Sequence, residues 1–279
     1  MAKKQRKMIN NKKENTNKRA ASKAAQNRKK NNRKVKKVII HIMKYTIILG
    51  IFIGMAIFFI TSPIFNIKEI EINGNEKINK EEIIYLSEIK KEDNIYKYSK
   101  SAIKQKIKTN PYIENVQVYR ILPDKIEINI EERKASFLLQ LEGEYAYINN
   151  QGYILEKNKE NIYLPIIIGF STKVENMIEG KQLEEEDLKK LQVILNIMEA
   201  ANSNQIAELI TKIDIKDSNN YTLFLETESK TVYLGSEADM NMKMLYLKGL
   251  LKKEKGIAGE IFLKDEYLKN DRVFFREKV

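Results

Sequence analysis

The sequence predicts an α+β protein in three parts: a single transmembrane helix, a compact β-α-α-β-β unit, and a larger, mostly antiparallel β unit with helices. Three observations predict it. One apolar run long enough to cross a bilayer follows a strongly basic stretch. Residues 65–134 then show strand periodicity, two short helical patterns and two more strands. The rest alternates short strand patterns with two longer helical ones.

Residues 1–44 hold 17 Lys or Arg against the single acid Glu14, whereas the remaining chain holds 33 basic and 37 acidic side chains. The net charge of +12 therefore belongs to one end. A folded part that grips nucleic acid carries its basic patch on itself, so no nucleic-acid partner is expected. Residues 1–37 contain repeated Lys, Arg, Asn, Gln and Ala with almost no apolar side chains, which predicts a disordered basic tail.

Residues 38–62 are the predicted transmembrane segment, with an apolar core at 45–60. Lys44 can snorkel to the interface. The long basic region and the lack of an A-x-A site favour an uncleaved anchor over a signal peptide. Positive charge before the helix predicts a cytoplasmic N-terminus and an exterior C-terminal portion, with the membrane itself as a partner. Gly50 and Gly54 form a G-x-x-x-G pair, which can let two helix backbones approach closely.

Beyond the anchor, apolar residues at Phe65, Ile67, Ile70 and Ile72 read as a strand that ends at Asn73-Gly74. Asn79 followed by Glu82 resembles a capping box for a short helix carrying Ile83, Ile84 and Leu86. Ser99 is the expected cap of a second helix, with Ile103 and Ile107 on one face and Pro111 beyond it. Ile113 to Leu122 and Lys125 to Glu131 read as strands joined at Pro123-Asp124. Two helices should thus cover one face of a three-stranded sheet.

Residues 135–279 form the second predicted unit. A hairpin is expected at Tyr145 to Ile148 and Tyr153 to Glu156, and a helix over 183–201. Strands are expected at 209–216, 221–227, 230–235, 257–264 and 271–277, with a helix at about 238–252. The final strand, Arg272-Val273-Phe274-Phe275-Arg276, is a candidate sheet edge to which a partner strand could add. One face of it should pack through Val273 and Phe275. A proline at Phe274 is expected to weaken partner binding more than folding.

Catalytic chemistry has little to build on. The sole histidine, His41, lies at the membrane edge, and cysteine is absent. No phosphate-cradling or zinc motif occurs. Glu184, Glu185, Glu186 and Asp187 open a predicted helix, where they complement its dipole. The sequence therefore predicts no catalytic, cofactor-binding or metal-binding residue. The alternative is a membrane-anchored envelope enzyme acting on cell-wall glycan through paired carboxylates.

The phrases Ile70-Glu71-Ile72-Asn73-Gly74-Asn75, Asn110-Pro111-Tyr112-Ile113, Val116-Gln117-Val118-Tyr119-Arg120-Ile121-Leu122-Pro123 and Ile130-Glu131-Glu132-Arg133 resemble the POTRA domain of the FtsQ/DivIB family. The hairpin around Gly152 and the segment Gly259-Glu260-Ile261-Phe262-Leu263-Lys264-Asp265 resemble that family's β domain. The resemblance implies a non-catalytic scaffold of the bacterial division apparatus, concentrated at the septum. It implies the bitopic partners FtsB (DivIC in Gram-positive bacteria) and FtsL, and a hand in controlling septal peptidoglycan synthases. It also implies strand addition over Tyr267, Leu268, Arg272, Val273, Phe274, Phe275 and Arg276.

Overall fold

A computed structural model describes residues 36–268 and 273–278. Most of the expected tail, and Arg272 of the expected edge, lie outside the described residues.

The first unit contains helix α1, Lys36–Ile60, the one helix among the described residues long and apolar enough to cross a membrane. At 1.5 Å per residue its 25 residues reach roughly 38 Å. Two of its polar side chains bond within the helix: His41 Nδ1 lies 2.7 Å from the Lys37 carbonyl, and the Thr46 hydroxyl donates to the Met43 carbonyl at 2.9 Å. A 3₁₀ turn at Pro63–Phe65 follows.

The second unit begins with a three-stranded sheet ordered β1-β3-β2. Strand β1 (Glu69–Asn73) runs parallel to β3 (Lys125–Glu132), and β2 (Ile113–Ile121) runs antiparallel to β3. Helix α2 (Lys80–Ser87) lies against β1, and α3 (Lys100–Ile107) against β2. The alternating residues Ile126, Ile128 and Ile130 are buried, as their period of two requires. β1 starts later than expected because residues 63–65 are taken by the 3₁₀ turn.

Asn79 caps α2 by accepting from the Glu82 backbone N–H at 2.8 Å, but the Glu82 carboxylate accepts from Asn110 instead of returning to Asn79. Ser99 sits at the cap of α3 without a side-chain capping bond. Gly74 has φ +82°, and a Cβ there would lie 2.2 Å from the Ile130 carbonyl oxygen, so the turn after β1 admits only glycine.

Nine strands form the second sheet, ordered β12-β11-β10-β9-β8-β7-β4-β5-β6. They are β4 (Phe137–Gln140), β5 (Tyr145–Ile148), β6 (Ile154–Asn158), β7 (Ile166–Ile168), β8 (Lys212–Asp214), β9 (Tyr221–Leu225), β10 (Lys230–Gly235), β11 (Gly259–Phe262) and β12 (Phe274–Glu277). Most pairings are antiparallel; β4–β7, β7–β8 and β10–β11 are parallel. Strands β4 and β7 were not expected: both are short and buried on successive residues, whereas β5, also short, is marked by the polar turn at 149–152 that follows it.

Helices α4 (Glu185–Ser203) and α5 (Met240–Lys253) touch each other and close the main core. That core joins Leu139, Ile167, Ile194, Ile213, Leu223, Val232, Leu247 and Ile261. A short helix α6 (Asp265–Leu268) follows β11. Of the acids opening α4, Asp187 is buried and holds the preceding loop. It accepts from the Ser171 N–H at 2.8 Å and from the Thr172 N–H and hydroxyl at 2.6 Å.

The two sheets meet at a joint of cations on rings. Arg133 donates to the carbonyls of Pro111 and Ile113 at 2.8 Å, and its guanidinium lies 4.1 Å from the Tyr153 ring centre. Lys77 pairs with Glu156 at 3.1 Å and lies 3.7 Å above the Tyr112 ring. Burial, reinforced by Glu156, pushes the Tyr112 hydroxyl far above its ordinary value. Glu132 accepts from the backbone N–H groups of Glu76, Lys77 and Ile78 at 2.8–3.0 Å, fixing the loop that carries Lys77.

Candidate functional site

The candidate site is the β12 edge. β12 pairs antiparallel with β11 in the register Gly259↔Glu277, Glu260↔Arg276, Ile261↔Phe275 and Phe262↔Phe274. It stands at one end of the sheet order, so among the described residues one side of its backbone has no strand beside it. The register says which groups are on that side. Lys278 donates its N–H to the Ala258 carbonyl at 3.0 Å. Alternation along an antiparallel ladder then turns the N–H and C=O of Arg276 and Phe274 towards β11, and those of Phe275 and Glu277 outwards. Phe274 is therefore the wrong place for a proline that should spare folding, because its N–H belongs to the β11 ladder. The outward N–H at Glu277 is the position to block.

The side chains divide between two faces. Val273 and Phe275 pack against the main core. Phe275 fits only because β11 begins with Gly259, where a Cβ would lie 2.4 Å from the ring and 2.5 Å from the Arg276 carbonyl oxygen. On the opposite face, Tyr233, Phe262 and Phe274 are cross-strand neighbours. Their rings stack at 5.0 Å and 4.7 Å between centroids. Tyr267 sets its ring edge-on to Phe274 at 5.2 Å, and the Arg276 guanidinium covers Phe262 at 5.1 Å.

Arg276 also grips Glu260 with two nitrogens, one at 2.9 Å, while the Tyr233 hydroxyl donates to the same carboxylate at 3.2 Å. Arg276 foremost, with Tyr233, holds the Glu260 carboxyl below its ordinary value of 4.5. Burial, then Glu260, raises the Tyr233 hydroxyl.

Of the residues expected at the edge, Val273, Phe274, Phe275 and Arg276 come together there. Tyr267 and Leu268 do not extend the strand, since they lie in α6, and Tyr267 reaches β12 only through its ring. Sequence reasoning missed the support beneath α6. Lys243, fully buried, places its ammonium 2.8 Å from Asp265 Oδ1, an ion pair without proper hydrogen-bond angles, and donates to the Ser236 carbonyl at 2.8 Å. Burial would raise the Asp265 carboxyl, but Lys243 and Ser236 outweigh it and leave the group below its ordinary value. The signal was present: Lys243 falls on the face of α5 that buries Met240, Met244, Leu247 and Leu251.

Residues 65–133 match the model of the POTRA domain, FtsQ-type, and residues 138–266 match that of the cell division protein FtsQ/DivIB, C-terminal. The cell division protein DivIB of Clostridium tetani is 29% identical over 218 residues, covering 77% of this chain and 81% of that protein. The cell division protein FtsQ of Syntrophotalea carbinolica is 26% identical over 215 residues, covering 75% and 73%. The DivIB of Bacillus subtilis is 29% identical over 132 residues, covering 47% and 50%. Both extramembrane domains thus match models of one family in the same order as the two sheets, and the chain belongs to the FtsQ/DivIB family of cell-division proteins.

Proposed function

We propose that this chain is a non-catalytic, single-pass scaffold of the division apparatus. Its parts are a basic cytoplasmic tail at 1–37, a membrane span at 38–62, a POTRA domain at 65–134 and a β domain at 135–279. The basic residues ahead of α1 keep that end in the cytoplasm, so both sheets lie outside. The observation that carries the reading is the open edge of β12 in a chain whose relatives are cell-division proteins. The partners are bitopic proteins of the FtsB/DivIC and FtsL kind, one of which adds a strand beside Phe275 and Glu277. Septal peptidoglycan synthases are controlled through that assembly. Tethering to one membrane raises the effective concentration of each partner, so a modest edge contact suffices. Gly50 and Gly54 offer α1 a face for helix association, where a Cβ on either would meet nothing within 4 Å.

The test is the position of the full chain carrying a fluorescent protein at its N-terminus. A band at mid-cell in dividing cells is expected, and even membrane labelling throughout the cycle would refute the scaffold. Loss of that role without loss of folding is expected for Glu277→Pro.

A further inference from the structure

We propose that the outward face of α5 is a second docking surface, distinct from the β12 edge, whose occupant is an acidic amphipathic helix of another exported protein. α5 is apolar on two sides. Met240, Met244, Leu247 and Leu251 point into the core, yet Met242 and Leu245 are 50% and 57% exposed. A second apolar face left open to solvent, rimmed by charge, marks an interaction surface. Met242, Leu245, Gly249 and Lys253 recur at the spacing of one helix face, and with Tyr246 and Leu250 they line a hollow of about 390 Å³.

Gly249 is the informative residue. It sits in the helix interior, where only proline is a poorer helix former, and a Cβ there would meet nothing within 4 Å. The fold gives no steric reason for this glycine. A notch between Leu245 and Lys253 is what an approaching side chain needs, as small residues provide where helices pack closely.

Charge selects the occupant. The sequence of α5, MNMKMLYLKGLLKK, contains no acid. Lys252 and Lys248, which also reaches the Gln205 side-chain oxygen at 3.5 Å, flank the stripe on the Leu245 side, and Lys253, 3.7 Å from the Glu254 carboxylate just beyond the helix, closes its C-terminal end. The complementary surface is a helix with a bulky apolar residue for the notch, apolar neighbours three or four residues away, and Asp or Glu facing the lysines.

The experiment places a photo-crosslinking amino acid at Leu245 of the full chain in growing cells and maps the adduct by mass spectrometry. An adduct with an acidic amphipathic segment of another exported protein is expected. It should fall at least about ten-fold in Gly249→Leu, which fills the notch, and persist in Glu277→Pro, which blocks the edge. Adducts with lipid or with a second copy only, or none, would overturn the proposal. So would an adduct indifferent to Gly249→Leu, or one lost in Glu277→Pro. A second measurement keeps folding apart from docking: Gly249→Ala should raise the unfolding midpoint of the full chain in detergent by about 2–4 °C. A lower midpoint would show that the fold itself needs the glycine, and the notch argument would fall.

Discussion

At position 259 only a hydrogen fits between β11 and the Phe275 ring. Gly259→Ala must push Phe275 out of the core, at a cost of about 1–3 kcal/mol. Amide exchange at Phe274 and Arg276 should accelerate more than exchange in β9, which reports whether β12 alone comes loose. The Glu260–Arg276 pair adds a pH dependence. Because the folded Glu260 carboxyl titrates below its ordinary value, its contribution is complete above about 4.5 and fades as acid protonates the folded carboxylate. Protection of the β12 amides should fall across that acid range in the native chain and change less there in Glu260→Gln. Asp265→Asn leaves the buried Lys243 ammonium without its counter-charge. Full burial of both partners would put the loss at about 3–5 kcal/mol. The Asp265 side chain is 34% exposed, so about 2 kcal/mol is expected in thermal unfolding.

At the scale of the element, β12 separates binding from folding by residue parity. Phe274→Pro removes a ladder donor to β11 and should lower stability and partner binding together. Glu277→Pro removes only an outward donor and should lower binding while the unfolding midpoint stays within about 2 °C. Equal damage from both would contradict the register of the edge. This parity was not legible in the sequence, because alternation along Arg272 to Arg276 shows which residues share a face and not which backbone groups meet β11. The long helices were legible: α4 and α5 repeat apolar residues over several turns, and their bounds fall within about two residues of the expected ones. Tyr267 and Leu268 stand beside the strand in α6, for a reason that is not local. Asp265 starts a helical turn once its carboxylate is held by Lys243 and the Ser236 N–H, contacts that arrive from distant sequence.

At the scale of the molecule, the order β-α-α-β-β and the anchor were readable because each rests on local pattern. The joint between the sheets was not. Arg133 and Lys77 look like ordinary surface cations until Tyr153 and Tyr112 come beneath them. Replacing both cations with alanine should widen the distance distribution between spin labels at Tyr85 and Tyr163, which are 82% and 99% exposed. A distribution as narrow as that of the native chain would show that the joint is held by other contacts.

Strand β7 has a consequence in mechanical terms. It joins the β4-β5-β6 half of the sheet to the β8–β12 half, and it meets β4 through only Leu138↔Ile166 and Leu139↔Ile167. If such a chain is held at one end by its membrane helix and at the other by a neighbour on β12, tension from a constricting envelope crosses this seam. Side chains from both halves, Leu139 and Ile148 on one side and Ile213 and Leu223 on the other, share one core, so packing across the seam reinforces its few hydrogen bonds.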